Sequence, residues 1–374
     1  MIKRVTPLTD KNVFWSPLVH QLEPYVPGEQ PVGDELIKLN TNESPYPPSP
    51  KVLAAISAHA IDNLRLYPDP ESTELREVIA NYHQLGSEQV FIGNGSDEVL
   101  AHAFNAFFRQ PKAILFPDLT YSFYPVFCKL YQIDYNLVPL NDGFEIDVAD
   151  YRKDNGGIIF PNPNAPTGIG LSRSAIISLL EANPLSVVII DEAYIDYAQP
   201  SDAVVDLQSV ASVLDLTQQY NNLLVVHTLS KSRAFAGLRV GYAVGHVDLI
   251  EALQRVKNSF NSYPIDRLAQ QAAIASFGDE DYFQLSVDKV IASRRRLVTM
   301  LERLHFTCLP SAANFILIHH ASIDAPDLAS FLRERKIIVR YFSNPRIDQY
   351  IRITVGNDQQ NQILLEAITQ FLTA

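Results

Sequence analysis

The sequence predicts an α/β fold: a large domain on a mainly parallel sheet covered by helices on both faces, a smaller α+β domain, and an N-terminal arm. Three observations carry this. The chain has 374 residues, 47% of them apolar and 19% charged, which is enough for a large packed core and too much for one small domain. Short apolar runs alternate with helix-length segments between about residues 70 and 255. After about residue 285 that rhythm changes. The boundaries expected are 1–45 for the arm, 46–265 for the large domain and 266–374 for the small one.

Pro24, Pro27, Pro31, Pro45, Pro47, Pro48 and Pro50 crowd the first fifty residues. Proline fixes φ and removes a donor, so this stretch reads as extended chain lying on something else, with Tyr25, Leu39 and Tyr46 as apolar anchors. Val90-Phe91-Ile92, Ala113-Ile114-Leu115-Phe116, Gly157-Ile158-Ile159-Phe160, Val187-Val188-Ile189-Ile190 and Leu223-Leu224-Val225-Val226 look like strands buried on both faces. Helical patterns lie between them, such as Leu75 to Tyr82 and Ser174 to Ala182. That alternation means βαβ units, with ligands at the carboxyl ends of the strands. Further on, a helix is expected from Val287 to Leu304, a strand at Phe315 to Ile318, and a helix near Leu328 to Arg335. Strands at Ile337 to Val339 and Tyr350 to Val355 and a closing helix from Asp358 to Leu372 complete the pattern. Arg294-Arg295-Arg296 reads as a solvated helix face.

Composition excludes several classes. Lys plus Arg number 30 against 42 Asp plus Glu, a net charge of −12, which argues against nucleic acid or an anionic membrane as partner. No apolar stretch approaches the roughly 18 residues that span a bilayer, and the first ten residues lack a secretory signal. Only Cys128 and Cys308 occur, so no disulfide framework is expected and a reducing, cytoplasmic setting is. His319-His320 lacks metal-ligand spacing, so no metal is expected.

The residues just after the strands hold the chemistry. Gly93-Asn94-Gly95-Ser96-Asp97-Glu98 opens a helix; it is either a capped turn or an anion site made by the first free amides. Glu98 breaks a dinucleotide fingerprint. Asp191 ends a buried strand, where a carboxylate is costly without a cationic partner; it is a cap or the counter-ion of a cationic ligand atom, with Tyr194 a hydroxyl nearby. Lys231 sits at the ligand-facing end of another strand between Ser230 and Ser232, with Arg239 eight residues on. A partly desolvated amine there suits a Schiff-base nucleophile, and Ser230 and Arg239 suit a phosphate.

Taken together, Gly95-Ser96-Asp97, Pro161 to Gly168, Asp191-Glu192-Ala193-Tyr194 and Ser230-Lys231 through Arg239 resemble the fold-type I pyridoxal-phosphate enzymes of the aspartate-aminotransferase-like group. The resemblance implies that Lys231 binds pyridoxal 5'-phosphate as an imine and later shuttles the proton. It implies that Asp191 pairs with the pyridine nitrogen, that Tyr194 bonds the phenolic oxygen, and that Tyr121 stacks on the ring. Gly95, Ser96, Asp97, Ser230 and Arg239 would hold the phosphate. Arg352, in Tyr350-Ile351-Arg352-Ile353-Thr354-Val355-Gly356, would clamp a carboxylate, with Ile351, Ile353 and Val355 on the opposite face.

The arm segment Leu22 to Gly28 and the stretch Lys38-Leu39-Asn40-Thr41-Asn42-Glu43-Ser44-Pro45 are similar to the histidinol-phosphate aminotransferase branch. So is Arg65-Leu66-Tyr67-Pro68-Asp69, the segment that sends a tyrosine to the partner subunit's cofactor phosphate. The branch implies a homodimer with Tyr67 reaching across, an arm packed on the small domain and the partner, and small amino and oxo acid substrates. Arg352, Arg340, Tyr25 and Asn42 would contact them. The implied reaction converts histidinol phosphate and 2-oxoglutarate to imidazole acetol phosphate and glutamate, with an aromatic aminotransferase or a threonine-phosphate-type decarboxylase as rivals. Two departures stand out. Ala165 replaces the asparagine usual before Pro-Thr-Gly, leaving Tyr194 as the main partner of the phenolic oxygen and Asn164 as a substitute. Phe260-Asn261-Ser262-Tyr263-Pro264 differs from the usual pocket-lining segment.

Overall fold

The computed structural model describes residues 14–30, 36–58, 64–198 and 210–373. Pro31 and residues 1–13 and 31–35 of the expected arm therefore lie outside the described residues. In chain order the elements are β1 (Ile37–Leu39), α1 (Pro50–Ala58), α2 (Thr73–His83), β2 (Val90–Gly93), α3 (Gly95–Ala103), β3 (Ile114–Pro117), α4 (Tyr124–Tyr131) and β4 (Tyr135–Val138). Next come β5 (Ile158–Pro161), α5 (Arg173–Ala182), β6 (Val188–Asp191), β7 (Leu223–Thr228), β8 (Gly241–Gly245), α6 (Val247–Asn258) and α7 (Arg267–Phe277). The last part holds α8 (Glu280–Arg303), β9 (Thr307–Cys308), β10 (Phe315–His319), α9 (Ala325–Glu334), β11 (Ile337–Tyr341), β12 (Tyr350–Thr354) and α10 (Asp358–Thr373). Side chains set several boundaries. Ser172 accepts the Ala175 amide at the start of α5, and Asp266 accepts that of Ala269 at the start of α7, as N-caps do.

Seven strands form the large sheet in the order β2-β8-β7-β6-β5-β3-β4. All run parallel except β8, which is antiparallel to both its neighbours. The apolar runs explain the layering. Ile158 and Phe160 join Val188, Ile190, Leu223 and Val225 in a core closed by α2, α5 and α7. Their alternate neighbours Ile159, Ile189, Leu224 and Val226 join a second core closed by α3, α4 and α6. Both faces of each strand are covered, so no polar alternation appears in the sequence. Because β2, β3, β5, β6 and β7 are parallel, their carboxyl ends open on one edge.

The second sheet has the order β1-β11-β12-β10-β9. β1 pairs parallel with β11, so a strand from the arm is part of it; the other pairs are antiparallel. Ile351 and Ile353 point into a core with Leu39, Ile316 and Ile318 under α8, α9 and α10, and strand alternation turns Arg352 to the other face. Val355, expected beside Ile351 and Ile353, lies beyond the end of β12 and joins Tyr197, Phe283 and Val287 instead.

Two expectations are corrected. Helix α7 falls in the stretch assigned to the small domain, yet Ala269, Ala272, Ala273 and Phe277 belong to the large-sheet core, because its small residues let it pack closely on α1 and α2. Arg294 is not a solvated residue: only 3% of it is exposed, and its guanidinium donates to the carbonyls of Tyr197 and Ala313. It joins α8 to two loops that otherwise leave carbonyls unpaired. Arg296, on the exposed side, pairs with Asp358. Arg294→Met should therefore cost about 2–4 kcal/mol in urea denaturation, against about 0.5 kcal/mol for Arg296→Ala; equal losses would contradict the distinction.

Candidate active site

The carboxyl ends of the parallel strands surround a cavity of about 110 Å³, which shares Tyr121, Ala165, Tyr194 and Lys231 with a larger cleft of about 580 Å³ between the two sheets. Asp191, the last residue of β6, points into the smaller cavity and is 5% exposed. Its carboxylate accepts hydrogen bonds from the Ala193 amide at 3.1 Å and the Tyr124 hydroxyl at 3.3 Å. Neither donor is a cation. Burial therefore pushes its carboxyl up to about 6 from the ordinary 3.8, and the negative charge of Asp97 adds to the effect.

At the other end of this cavity stand Ser96, Ser230 and Arg239. Gly95 opens α3 with φ at +78°, and a Cβ there would come within 2.4 Å of the Arg239 guanidinium. Only glycine allows so close an approach. The first amides of α3 have no intrahelical acceptors and carry the positive end of the helix dipole. Arg239 reaches Ser230 at 3.4 Å and the Asp97 carboxylate at 3.2 Å. Asp97 also accepts the Tyr121 hydroxyl at 2.8 Å, so its side chain is engaged with protein groups while its backbone remains part of the helix start. An arginine, two hydroxyls and free amides make an anion cradle. The aromatic wall is Tyr121, and Lys231 lies between the cradle and the cleft.

The cleft is formed from the second sheet and the arm. Arg340 and Arg352 are cross-strand partners on β11 and β12 and both line it. Arg352 donates to the Asn40 carbonyl at 2.8 Å, and its guanidinium lies 5.1 and 5.6 Å from the ring centres of Phe315 and Phe342. Its buried Nε has no partner among the described residues. Burial, with the charge of nearby Arg340, pushes this guanidinium below its usual range. Two adjacent cations with an unmet donor form a site for an anionic group. Tyr25 lines the same cleft and packs on Phe123 at 4.7 Å.

Residues 40–42 touch three site groups in succession. The Asn40 carbonyl accepts from Arg352; the Thr41 carbonyl accepts from Lys231 Nζ at 3.1 Å; Asn42 Nδ2 donates to Tyr194 Oη at 3.0 Å. Sequence reasoning named Asn42 but missed Thr41, whose contact is through a backbone atom that leaves no side-chain signal. It also missed Tyr124, fully buried against Asp191; its three-residue spacing from Tyr121 on one turn was the available cue.

Two expected site residues lie outside this cavity, Tyr67 having been expected to serve the partner's. The Asn164 side chain is occupied by Thr120, Leu119 and Thr167 and does not line the cavity, so it does not stand in for the residue replaced by Ala165. Tyr67 is 77% exposed and stacks on Tyr263 at 4.6 Å, outside this chain's own cavity. Phe260 and Tyr263 are also exposed and line neither the cavity nor the cleft. Among the described residues no group of His, Cys, Asp and Glu could hold a metal ion.

Residues 34–368 match the family model described as aminotransferase class I and II. The chain belongs to that family. It is an aminotransferase, and the enzymes of this family work with pyridoxal phosphate. The chain is 57% identical over 359 residues to histidinol-phosphate aminotransferase 1 of Hydrogenovibrio crunogenus, covering 96% of this chain and 98% of that one. It is 55% identical over 361 residues to histidinol-phosphate aminotransferase 1 of Methylococcus capsulatus, with the same coverage. Its fold matches the crystal structure of histidinol-phosphate aminotransferase from Sinorhizobium meliloti in complex with pyridoxal-5'-phosphate, with TM-score 0.82, 22% identity, and 96% and 98% coverage. The fold is that of the fold-type I enzymes, as expected. The cavity fits this cofactor: an anion cradle, an aromatic wall, an amine, and a buried carboxylate that lacks a cation.

That last feature has a measurable sign. The folded chain holds the Asp191 proton more tightly than the unfolded chain, so without cofactor this residue withdraws stability as pH rises from about 4 to about 6, by on the order of 3 kcal/mol. Asp191→Asn should raise the melting midpoint of cofactor-free protein at about pH 8 and leave it unchanged near pH 4. The same shift at both pH values would refute the argument.

Proposed function

We propose that this aminotransferase interconverts histidinol phosphate and 2-oxoglutarate with imidazole acetol phosphate and glutamate. The observation that carries the substrate is the pair of cross-strand arginines beside a buried unmet donor. Histidinol phosphate offers a phosphate and no carboxylate, whereas glutamate offers carboxylates; Arg352 and Arg340 suit both, since guanidinium forks bind either anion. The names of relatives at 55% to 57% identity support the same choice.

Pyridoxal phosphate, when bound, supplies the carbonyl that condenses with amines and the ring that accepts the electron pair left at the substrate Cα. Ser96, Ser230, Arg239 and the α3 amides would hold its phosphate, Asp191 its pyridine nitrogen, Tyr121 its ring face and Tyr194 its phenolic oxygen. Lys231 would carry it and act as the base. Its free amine would take the proton from the substrate Cα and give it back at the carbon on the other side of the substrate nitrogen, and the proton is thereby moved and not lost. Arg352 fixes the substrate so that this Cα–H bond meets the amine. Tyr25 and the arm close the outer side against water.

Two substitutions test this in single-turnover half-reactions with histidinol phosphate and with glutamate. Lys231→Ala should abolish the borohydride-trapped adduct and slow the half-reaction by at least about 10²–10⁴-fold; a rate like that of the unsubstituted protein would defeat the base assignment. Arg352→Gln should weaken binding of both substrates by roughly tenfold to a hundredfold, and a loss confined to glutamate would separate the two anion sites.

The protein also works as a homodimer in this proposal. Leu64, Leu66, Tyr67, Phe260 and Tyr263 leave a large apolar surface open, as an isologous interface requires, and Tyr67 would reach the partner's phosphate cradle. Sedimentation should give a dimer, and Tyr67→Ala should weaken cofactor retention while the dimer persists; a monomer with full activity would end this reading. A cytoplasmic location follows from the biosynthetic role.

A further inference from the structure

Within the small cavity, hydroxyl and guanidinium donors cluster at the anion end. The Thr228 hydroxyl donates to Ser230 at 3.0 Å, and the Tyr121 proton is taken by Asp97. Beside Lys231, on the wall where Ala165 has no donor and Asn164 is turned away, the phenol of Tyr194 stands alone among the lining side chains. Which way its proton points therefore decides whether that end of the cavity offers a donor at all.

The hydrogen-bond geometry fixes the direction. The Asn42 backbone amide donates to Thr354 Oγ1 at 2.9 Å. That hydroxyl, having accepted, turns its own proton to Asn42 Oδ1 at 3.1 Å. The Asn42 amide can then present only its Nδ2 donors to Tyr194 Oη, at 3.0 Å. A phenol that accepts from Asn42 keeps its single proton for another partner, and among the described residues the cavity offers it none. Asn42 is itself rigid: it is 2% exposed, its φ is +57°, and its carbonyl accepts from Asn314 Nδ2 at 3.0 Å.

We infer that Asn42 is a positioning residue, not a substrate contact: with Thr354 it orients the Tyr194 hydroxyl as a donor into the cofactor cavity and so supplies what Ala165 cannot. The chain of bonds runs Asn42 N–H to Thr354 to Asn42 Oδ1, then Asn42 Nδ2 to Tyr194, then the Tyr194 proton to the cofactor's phenolic oxygen. This rests on the proposed reading of Lys231 and Tyr194 as cofactor partners. A donor on that oxygen stabilises its negative charge most when the neighbouring imine nitrogen carries no proton, so weakening the donor raises the pH at which the bound cofactor changes from its visible to its near-ultraviolet absorption.

The test is a spectroscopic pH titration of holoenzyme. Asn42→Asp presents an acceptor to Tyr194 and draws its proton out of the cavity; the midpoint should rise by about one pH unit, the effect of losing one hydrogen bond to a charged oxygen. Tyr194→Phe should raise it at least as much, and adding Asn42→Asp to Tyr194→Phe should change nothing further, since the two act through one proton. Thr354→Val, which frees the Asn42 amide to turn, should move the midpoint the same way and carries the test if the Asn42 variant does not fold. An unchanged midpoint in Asn42→Asp or Thr354→Val, or equal shifts with and without the Tyr194 hydroxyl, overturns the inference. If no visible band forms in the unsubstituted protein, the Lys231 reading itself has failed.

Discussion

Asp191 ends a strand covered on both faces, and among the described residues a backbone amide and the Tyr124 hydroxyl donate to its carboxylate. A charge so placed is costly unless a cation joins it. Among the described residues Arg239 is turned to Asp97 and Lys231 leans toward the Thr41 carbonyl, and His227, whose imidazole pairs with Glu192, offsets only part of the burial cost. The buried carboxylate at the base of the cavity is thus built into the sheet, because the parallel order sets the ends of β5, β6 and β7 side by side and the helices dry both faces.

The second constraint is that the anion-binding arginines belong to a different sheet from the amine and the carboxylate. Residues 40–42 join the two. They follow β1, which pairs with β11, and each touches a different group of the site: Arg352, Lys231 and Tyr194. A segment only three residues long thus links the small sheet to the amine and to the phenol. Asn42 holds a positive φ and four hydrogen bonds to do this, a local cost typical of functional positions.

The large sheet was legible because doubly buried parallel strands must be written as apolar runs, and because the ligand edge of such a sheet is fixed by its topology. Gly95, Ser96, Asp191 and Lys231 follow those runs within a few residues, so locating the strands located them, and Arg239 was read from its spacing to Lys231. Other features were hidden for physical reasons. Arg294 looks solvated by charge alone; its burial is set by two carbonyls far away in sequence. Helix α7 has small apolar residues that would suit either core, and only packing decides. Asn164 and Ala165 are adjacent, but the amide at 164 is spent within its own loop, and no local pattern reveals that. Thr41 acts through its carbonyl, an atom every residue has.

The charge distribution explains how such a protein takes anionic substrates at all. With a net charge of −12 its mean field repels them, and at physiological salt that field is screened within about 8 Å. Inside the cleft the balance is inverted. Lys231, Arg340 and Arg352 line it, and Asp118, its one lining carboxylate, is held by Arg346 at 2.6 Å. Phe116, Phe342, Tyr25 and Pro27 share the walls with uncharged polar residues such as Asn40 and Thr120, so the field of those cations is not cancelled within the cleft. An anion that reaches the mouth therefore meets unneutralised positive charge over the last few ångströms, where screening is weakest. The surplus of acid lies on the outside, where it keeps the protein dispersed; the surplus of base lies where burial makes each charge count most.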